Sequence, residues 1–354
     1  MSDVHVVCAL DKGMTVPALI LAHAVRKYAS PQRKTIFHAL QCEPNAFPLY
    51  SDYLLNCEHF EVRPHHVSTE IFKKFDLSIA SVPSLATFAR LAISTLVPEA
   101  DRVLYLDCDV VINRSIDDLF DIDMKGFPIA ACRDLTYAHF RRRNDGPHRE
   151  AAKLLFKNVD AYFNAGVLLL DCIKWREANY FGTLIDFLRD PPAALFFADQ
   201  DALNAIFGEN YLELDPRWNA WALHSAFEEG EEEFARLARL CDADPWITHF
   251  VGRVKPWISF HQPTPQHRRY WRAAEDSPFL AKLIELYDGG PLKNTAYATQ
   301  YLSPLYSHRR IGEFLCTVSK IAWRVEAILG TRQTLSSKLF GLGSRIYSNS
   351  LGQN

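Results

Sequence analysis

Residues 103–106, Val-Leu-Tyr-Leu, form a short apolar run that passes straight into Asp107, Cys108 and Asp109. A strand this apolar is covered on both faces, as in the interior of a parallel α/β sheet. In open sheets of that kind ligands gather beyond the carboxyl ends of the strands, where loops supply polar groups and the sheet supplies rigidity. Two carboxylates stand at such an end. The rest of the chain supplies the alternation the sheet requires. Residues 4–10 read as a first strand, and Thr15 with Pro17 opens a helical pattern over 18–28. Residues 34–40 and 60–63 read as further strands, separated by a helical stretch around Leu54. Ser84 is an N-cap candidate for a helix whose apolar positions Leu85, Phe88, Ala89, Ala92, Ile93 and Leu96 repeat at three and four residues, with Pro98 beyond its end. Strands are also predicted over 127–131, 162–170 and 211–214, and helices over 174–188 and 201–207.

Composition bounds the function. With 39 Lys and Arg against 42 Asp and Glu, the net charge of -3 excludes the broadly basic surface that nucleic acid requires, so no nucleic-acid partner is expected. No run approaches the roughly 20 apolar residues of a membrane span. The first residues carry Asp3 and His5 and show no basic, then apolar, leader pattern, so the protein is expected to stay where it is made. Eight cysteines without paired metal-ligand spacing fit free thiols in a reducing compartment, and the expected location is cytoplasmic.

Composition shifts at 228–233, an acidic cluster that begins a solvated helix ending near Leu240. It shifts again at Gly289, Gly290 and Pro291, giving a boundary between a domain over 1–288 and an extension over 289–354. Within the extension Phe314, Val318, Ile321, Val325 and Ile328 share one helical face. From Leu305 onward seven Lys or Arg stand against two Glu. This helix either packs on the domain or lies on an anionic membrane surface, as a peripheral contact on the inner face.

Asp107 and Asp109 alone are as readily a surface turn as a cation site. The segment over 245–250 changes that balance. It ends in His249 and continues into Gly252, Lys255, Pro256 and Trp257, so a metal-ligand type, a glycine and a phosphate-pairing cation fall close together. A leaving diphosphate develops charge as its bond breaks, and a cation with a lysine is the chemistry that meets it.

Taken together the chain resembles a family 8 retaining glycosyltransferase, the group of the bacterial lipopolysaccharide galactosyl- and glucosyltransferases and glycogenin. The resemblance rests on Val7-Cys8-Ala9-Leu10-Asp11, Arg90 after Ser84, Leu104-Tyr105-Leu106-Asp107-Cys108-Asp109, Tyr162-Phe163-Asn164-Ala165-Gly166-Val167, Asp199-Gln200-Asp201, and His249 through Trp257. It covers roughly residues 4–260. It implies a GT-A nucleotide-diphospho-sugar transferase fold, α/β with a mostly parallel central sheet, followed here by the C-terminal helical extension.

By the same resemblance Asp107, Asp109 and His249 hold a divalent metal, Mn2+ ahead of Mg2+ on ligand type. The metal bridges the phosphates of a UDP-sugar, UDP-glucose or UDP-galactose. Ala9 and Asp11 would meet the nucleoside, although Asp11 also reads as a cap for the next helix. Gly252 and Lys255 would hold the diphosphate, and Arg90 would lie over the sugar and diphosphate rather than in solvent. Asn164 and Gly166 would line the sugar and acceptor pocket, Asp199 would orient donor hydroxyls, and Gln200 would lie nearest the anomeric carbon. The acceptor implied is a glycan or lipid-linked saccharide of the lipopolysaccharide kind. Gly13 stands where many relatives have Asn, and the Arg- and His-rich stretch over 133–157 is longer than in the bacterial galactosyltransferases. Asp134, within that stretch, is the residue the resemblance matches to an acceptor-binding aspartate.

Two other readings compete. A haloacid-dehalogenase-type phosphatase also places Asp-x-Asp after an apolar strand, but usually near its N-terminus and without use for His249, Gly252 and Lys255. A non-catalytic sugar-nucleotide-binding protein would keep the fold and not the turnover.

Overall fold

The computed structural model describes residues 2–47, 54, 57–68, 84–134, 147–221, 232–252, 255–257, 265–280 and 282–283. Ten strands and nine helices appear among them. The strands are β1 (Val4–Leu10), β2 (Thr35–Gln41), β3 (Phe60–His66), β4 (Arg102–Leu106), β5 (Val110–Ile112), β6 (Ile129–Arg133), β7 (Phe163–Asp171), β8 (Leu212–Glu213), β9 (Ala220–Trp221) and β10 (Ile247–His249). The helices are α1 (Thr15–Tyr28), α2 (Ile93–Leu96), α3 (Asp117–Phe120), α4 (Pro147–Leu155), α5 (Cys172–Glu177), α6 (Tyr180–Arg189), α7 (Ala198–Phe207), α8 (Glu232–Ala243) and α9 (Pro265–Glu275).

Seven strands form the main sheet in the order β3-β2-β1-β4-β7-β6-β8. The run from β3 to β4 is parallel, β7 is antiparallel to both its neighbours, and β8 is again parallel to β6. Strand periodicity divides the core between two faces. Leu104 and Leu106 of β4 join Val6, Cys8, Val167 and Leu169 on one side. Val103 and Tyr105 join Val7, Leu168 and Leu170 on the other. A second, three-stranded sheet has the order β5-β10-β9. Its antiparallel β5–β10 pairing sets His249 opposite Val110, immediately after Asp109.

Two helices depart from their predicted form. The single helix predicted over 174–188 is divided into α5 and α6, because Asn179 takes a left-handed φ of 48° and its side-chain oxygen accepts from the Gly182 N–H as a new cap. The helix predicted after Ser84 is wound as a 3-10 helix over Leu85–Ala92 and becomes α-helical only in α2. Ser84 does cap it, accepting from the Ala86 N–H at 3.2 Å. In 3-10 winding residues three apart eclipse one another, so Thr87 and Arg90 stand on one edge.

The acidic cluster lies largely outside the described residues, whose helix α8 begins at Glu232 and ends at Ala243. The boundary near 288, the whole 289–354 extension and most of the stretch around Leu54 also lie outside them. Among the described residues no helix is long and apolar enough to cross a membrane.

Candidate active site

Asp107, Asp109 and His249 converge at the carboxyl end of β4, each offering a ligand atom within 4.8 Å of the others. Main-chain pairing brings them there. The Asp107 N–H donates to Gly166 O at 2.8 Å where β4 meets β7, and the Phe250 N–H donates to Asp109 O at 3.0 Å beside the β5–β10 pair. His249 Nε2 faces Asp109 Oδ1 at 3.3 Å and Asp107 Oδ2 at 3.6 Å. The Lys255 ammonium pairs with Asp109 and donates to Phe250 O at 2.6 Å. Burial pushes the Asp109 carboxyl up, but Lys255 and His249 outweigh it and hold the group well below the usual carboxylate range. It is a carboxylate at any physiological pH.

Gly166 is indispensable to this packing. A Cβ added there would lie 2.1 Å from His249 Cε1 and 2.9 Å from Asp107 Oδ2. The close approach of β7 to the cluster therefore requires a residue without a side chain.

Arg90 forms the second half of the site. Its guanidinium is buried and bridges Asp107 Oδ1 at 2.9 Å and Asp199 Oδ2 at 2.9 Å, while donating to Ala165 O at 2.6 Å. Thr87, eclipsed with it on the 3-10 edge, donates its hydroxyl to Asp199 Oδ1 at 2.8 Å. Tyr105 donates to Asp107 Oδ1 at 2.7 Å and lays its ring under the guanidinium, 4.7 Å from its carbon. One guanidinium serves two carboxylates. Burial consequently prevails at Asp199 and pushes its carboxyl up to about 6, with Asp107 adding to the shift against Arg90 and Thr87. Arg90 itself stays charged, because the two carboxylates more than offset its burial. Asp107, Asp109 and Asp199 against Arg90 and Lys255 leave an excess of negative charge suited to a divalent cation.

Helix α7 delivers Asp199 and Gln200. The Asn204 amide clasps β7 by accepting from Phe163 N–H and donating to Phe163 O, both at 2.8 Å. One turn earlier, Gln200 Oε1 accepts from Ala165 N–H at 2.9 Å and from Asn164 Nδ2 at 3.1 Å. Its Nε2 points to Tyr162 OH at 3.2 Å and Asp134 Oδ2 at 3.4 Å. Asp199 is not the helix cap. Asp201 instead reaches back to accept from Phe196 and Phe197 N–H at 2.6 and 2.9 Å, and Ala198 between them holds a left-handed φ of 44°. Strain of that kind in a non-glycine residue persists only where its surroundings enforce it.

Nine of the twelve predicted site residues thus meet in one place: Arg90, Asp107, Asp109, Asn164, Gly166, Asp199, Gln200, His249 and Lys255. Ala9 borders them, its carbonyl accepting from Cys108 Sγ at 3.3 Å. Asp11 caps the 3-10 turn Lys12–Met14 by accepting from Met14 N–H at 3.2 Å. Gly252 takes a left-handed φ of 86° that favours glycine. Sequence reasoning overlooked Thr87 and also Asn219, whose Oδ1 lies 2.8 Å from His249 Nδ1. Thr87 was legible three residues before Arg90, whereas Asn219 stands in the short 3-10 turn Pro216–Asn219 with no periodicity to mark it.

The mostly parallel α/β sheet, with carboxylates at a strand end and an imidazole from a second small sheet, places the fold with the GT-A glycosyltransferases. The chain matches the family model for glycosyl transferase family 8 over residues 5–260 and belongs to that family. The phosphatase reading is accordingly set aside. Glycosyltransferase GlyF of Streptococcus pneumoniae is 27% identical over 257 residues, which cover 72% of this chain and 57% of GlyF. General stress protein A of Bacillus subtilis is 30% identical over 184 residues, 49% of this chain and 59% of that protein. The aligned part thus spans under three fifths of either relative. Among solved structures, the galactosyltransferase LgtC in complex with donor and acceptor sugar analogs superposes with a TM-score of 0.62 at 25% identity, covering 77% of this chain and 96% of LgtC.

Proposed function

We propose that this chain is a metal-dependent retaining hexosyltransferase. It moves glucose or galactose from a UDP-sugar to a hydroxyl of a glycan or lipid-linked saccharide. The observation that carries this reading is the Asp107, Asp109 and His249 cluster, whose ligand atoms lie within 4.8 Å of one another. Two carboxylates and an imidazole suit Mn2+, with Mg2+ second. The tight seat left by Gly166 fits a site shaped around a ligand set rather than a surface turn. When bound, the cation supplies positive charge to the diphosphate as the sugar leaves.

The chain's own residues supply the rest. Arg90 fixes Asp107 for the metal and Asp199 for the donor hydroxyls, and Lys255 adds a cation on the diphosphate side. Gln200 is an uncharged amide whose oxygen already accepts two hydrogen bonds, which makes it a poor nucleophile. Attack from the face the diphosphate leaves is therefore favoured over a covalent intermediate. The acceptor oxygen bonds to the anomeric carbon, the carbon–diphosphate bond breaks, and the departing phosphate oxygen takes the acceptor's proton. Gln200 steadies the charge that builds on the sugar. The relationship to LgtC, solved with donor and acceptor sugar analogs, supports a sugar donor and sugar acceptor here. The basic, amphipathic 289–354 segment suits peripheral contact with an anionic inner membrane face, and co-sedimentation with anionic vesicles tests it by deletion from Leu305 onward.

Incubation with UDP-glucose or UDP-galactose and Mn2+, followed by NMR of the product anomer, tests the enzymatic reading. The expected result is UDP release with the α configuration kept, abolished by chelation. Absence of both UDP release and a donor-induced rise in Tm would overturn it.

A further inference from the structure

The site contains two backbone amides that can only donate, and they fix the polarity of the chain of side-chain amides that runs from Gln200 through Asn164 and Asn219 to His249. The Gly166 N–H meets Asn164 at 2.9 Å, so the atom it meets is the oxygen, Oδ1. The Asn164 nitrogen then faces Gln200 at 3.1 Å, and the Ala165 N–H, 2.9 Å from the same Gln200 atom, independently requires that atom to be oxygen. Asn219 approaches Asn164 Oδ1 at 2.8 Å and must do so with its nitrogen, Nδ2. Its own oxygen is thereby turned to His249 Nδ1, at 2.8 Å, where it can only accept. His249 Nδ1 therefore carries a hydrogen, and Nε2 is the nitrogen directed at Asp109 and Asp107. Asn219, Asn164 and His249 are all buried, so water does not compete for these bonds.

We infer that Asn219 is a positioning residue: its amide holds His249 in the Nδ1–H form with Nε2 presented to the carboxylates, and couples that imidazole through Asn164 to Gln200. That Nδ1 carries a hydrogen follows from the hydrogen bonds alone; the use of Nε2 as a ligand rests on the metal reading above. Partners of this kind orient metal-binding imidazoles generally. The chain also explains why β7 and the Pro216–Asn219 turn must keep their mutual placement, since one misplaced amide would set two donors or two acceptors face to face.

The direct test is 15N NMR of the metal-free wild-type protein at about pH 8.5, above the ordinary imidazole range. A hydrogen on His249 Nδ1 is expected; a bare Nδ1 with hydrogen on Nε2 alone overturns the inference. Calorimetric Mn2+ titration supplies the second readout. Asn219→Leu is expected to weaken Mn2+ binding about 10–100-fold, and affinity within about threefold of wild type at unchanged Tm overturns the positioning role. Asn219→Asp keeps an acceptor for Nδ1 but turns a second oxygen on Asn164 Oδ1. It is expected to hold Mn2+ within about threefold of wild type while kcat falls more than donor KM rises; an unchanged kcat overturns the coupling to Gln200. Should Asn219→Leu fail to fold, the wild-type spectrum still decides the tautomer. A wild-type protein that binds no Mn2+ defeats the proposed function and leaves that spectrum as the judge of the inference.

Discussion

A single histidine, His249, and a row of three others sit on strands among the described residues, and they have opposite surroundings. His249 faces two carboxylates, is oriented by Asn219 and lies beside a charged lysine. His5, His38 and His65 instead form a row across β1, β2 and β3, with ring nitrogens 3.0 and 2.9 Å apart, the first pair of rings stacked at 5.3 Å and the second tilted at 5.1 Å. In that row the ring nitrogens bond to one another, and Glu61, Glu99 and Arg63 act on them only from a distance. Burial, reinforced by His65 and His5, pushes His38 down to about 3, so the row is held neutral. Residue type and burial, at His38 as at His249, are therefore common to both places. The distinction is made by carboxylates on one side and an oriented acceptor on the other.

The comparison can be broken at several points. The largest effect is expected from Arg90, whose cation is shared by the half-buried Asp107 and the buried Asp199. Arg90→Leu should cost about 3–5 kcal/mol in stability, because Asp107 and Asp199 lose their shared partner, and chemical denaturation would measure it. Asp109→Asn should lower kcat/KM about a thousandfold, equivalent to about 4 kcal/mol, through loss of both metal affinity and leaving-group compensation. Turnover within about tenfold of wild type would remove Asp109 from the mechanism. Gly166→Ala should destabilise by about 1–3 kcal/mol and displace His249, detectable as lost Mn2+ binding in a protein that remains folded.

The subtlest tests use pH. His38 is depressed, so its contribution to stability is present above about 6.5 and is lost as pH falls toward about 3. His38→Gln should flatten the acid limb of Tm against pH. Asp199 has the opposite sign: with its carboxyl raised to about 6, the stability it contributes is present below its unfolded value and is lost as pH rises through about 6. Asp199→Asn should remove that downward slope, read as a change in the Tm–pH gradient between about pH 4 and 6. Identical gradients in wild type and variant would contradict the corresponding assignment.

The sequence was most legible where a pattern is local. The 4–10 strand was predicted with the observed bounds, since seven residues of that run have room only in a buried strand. Ser84 was recognised as a cap because the hydroxyl and the apolar repeat after it are neighbours in the chain. Strand β5, three residues long, went unnoticed for the converse reason, and its pairing with β10 is what closes the site. The 3-10 winding of Leu85–Ala92 was also hidden, because 3.0- and 3.6-residue repeats place the same apolar residues inward over so short a stretch.

Sequence alone therefore determined the strands of the main sheet, the carboxylate pair at a strand end and the residue types that suit a diphosphate, all properties of short segments. Tertiary structure supplied the contacts themselves: His249 against Asp109, which the family resemblance alone had implied, Arg90 shared by two carboxylates, and Asn219 facing the imidazole. Those relations join residues tens to more than a hundred positions apart. They depend on which strands pair and in what register, which no local periodicity encodes.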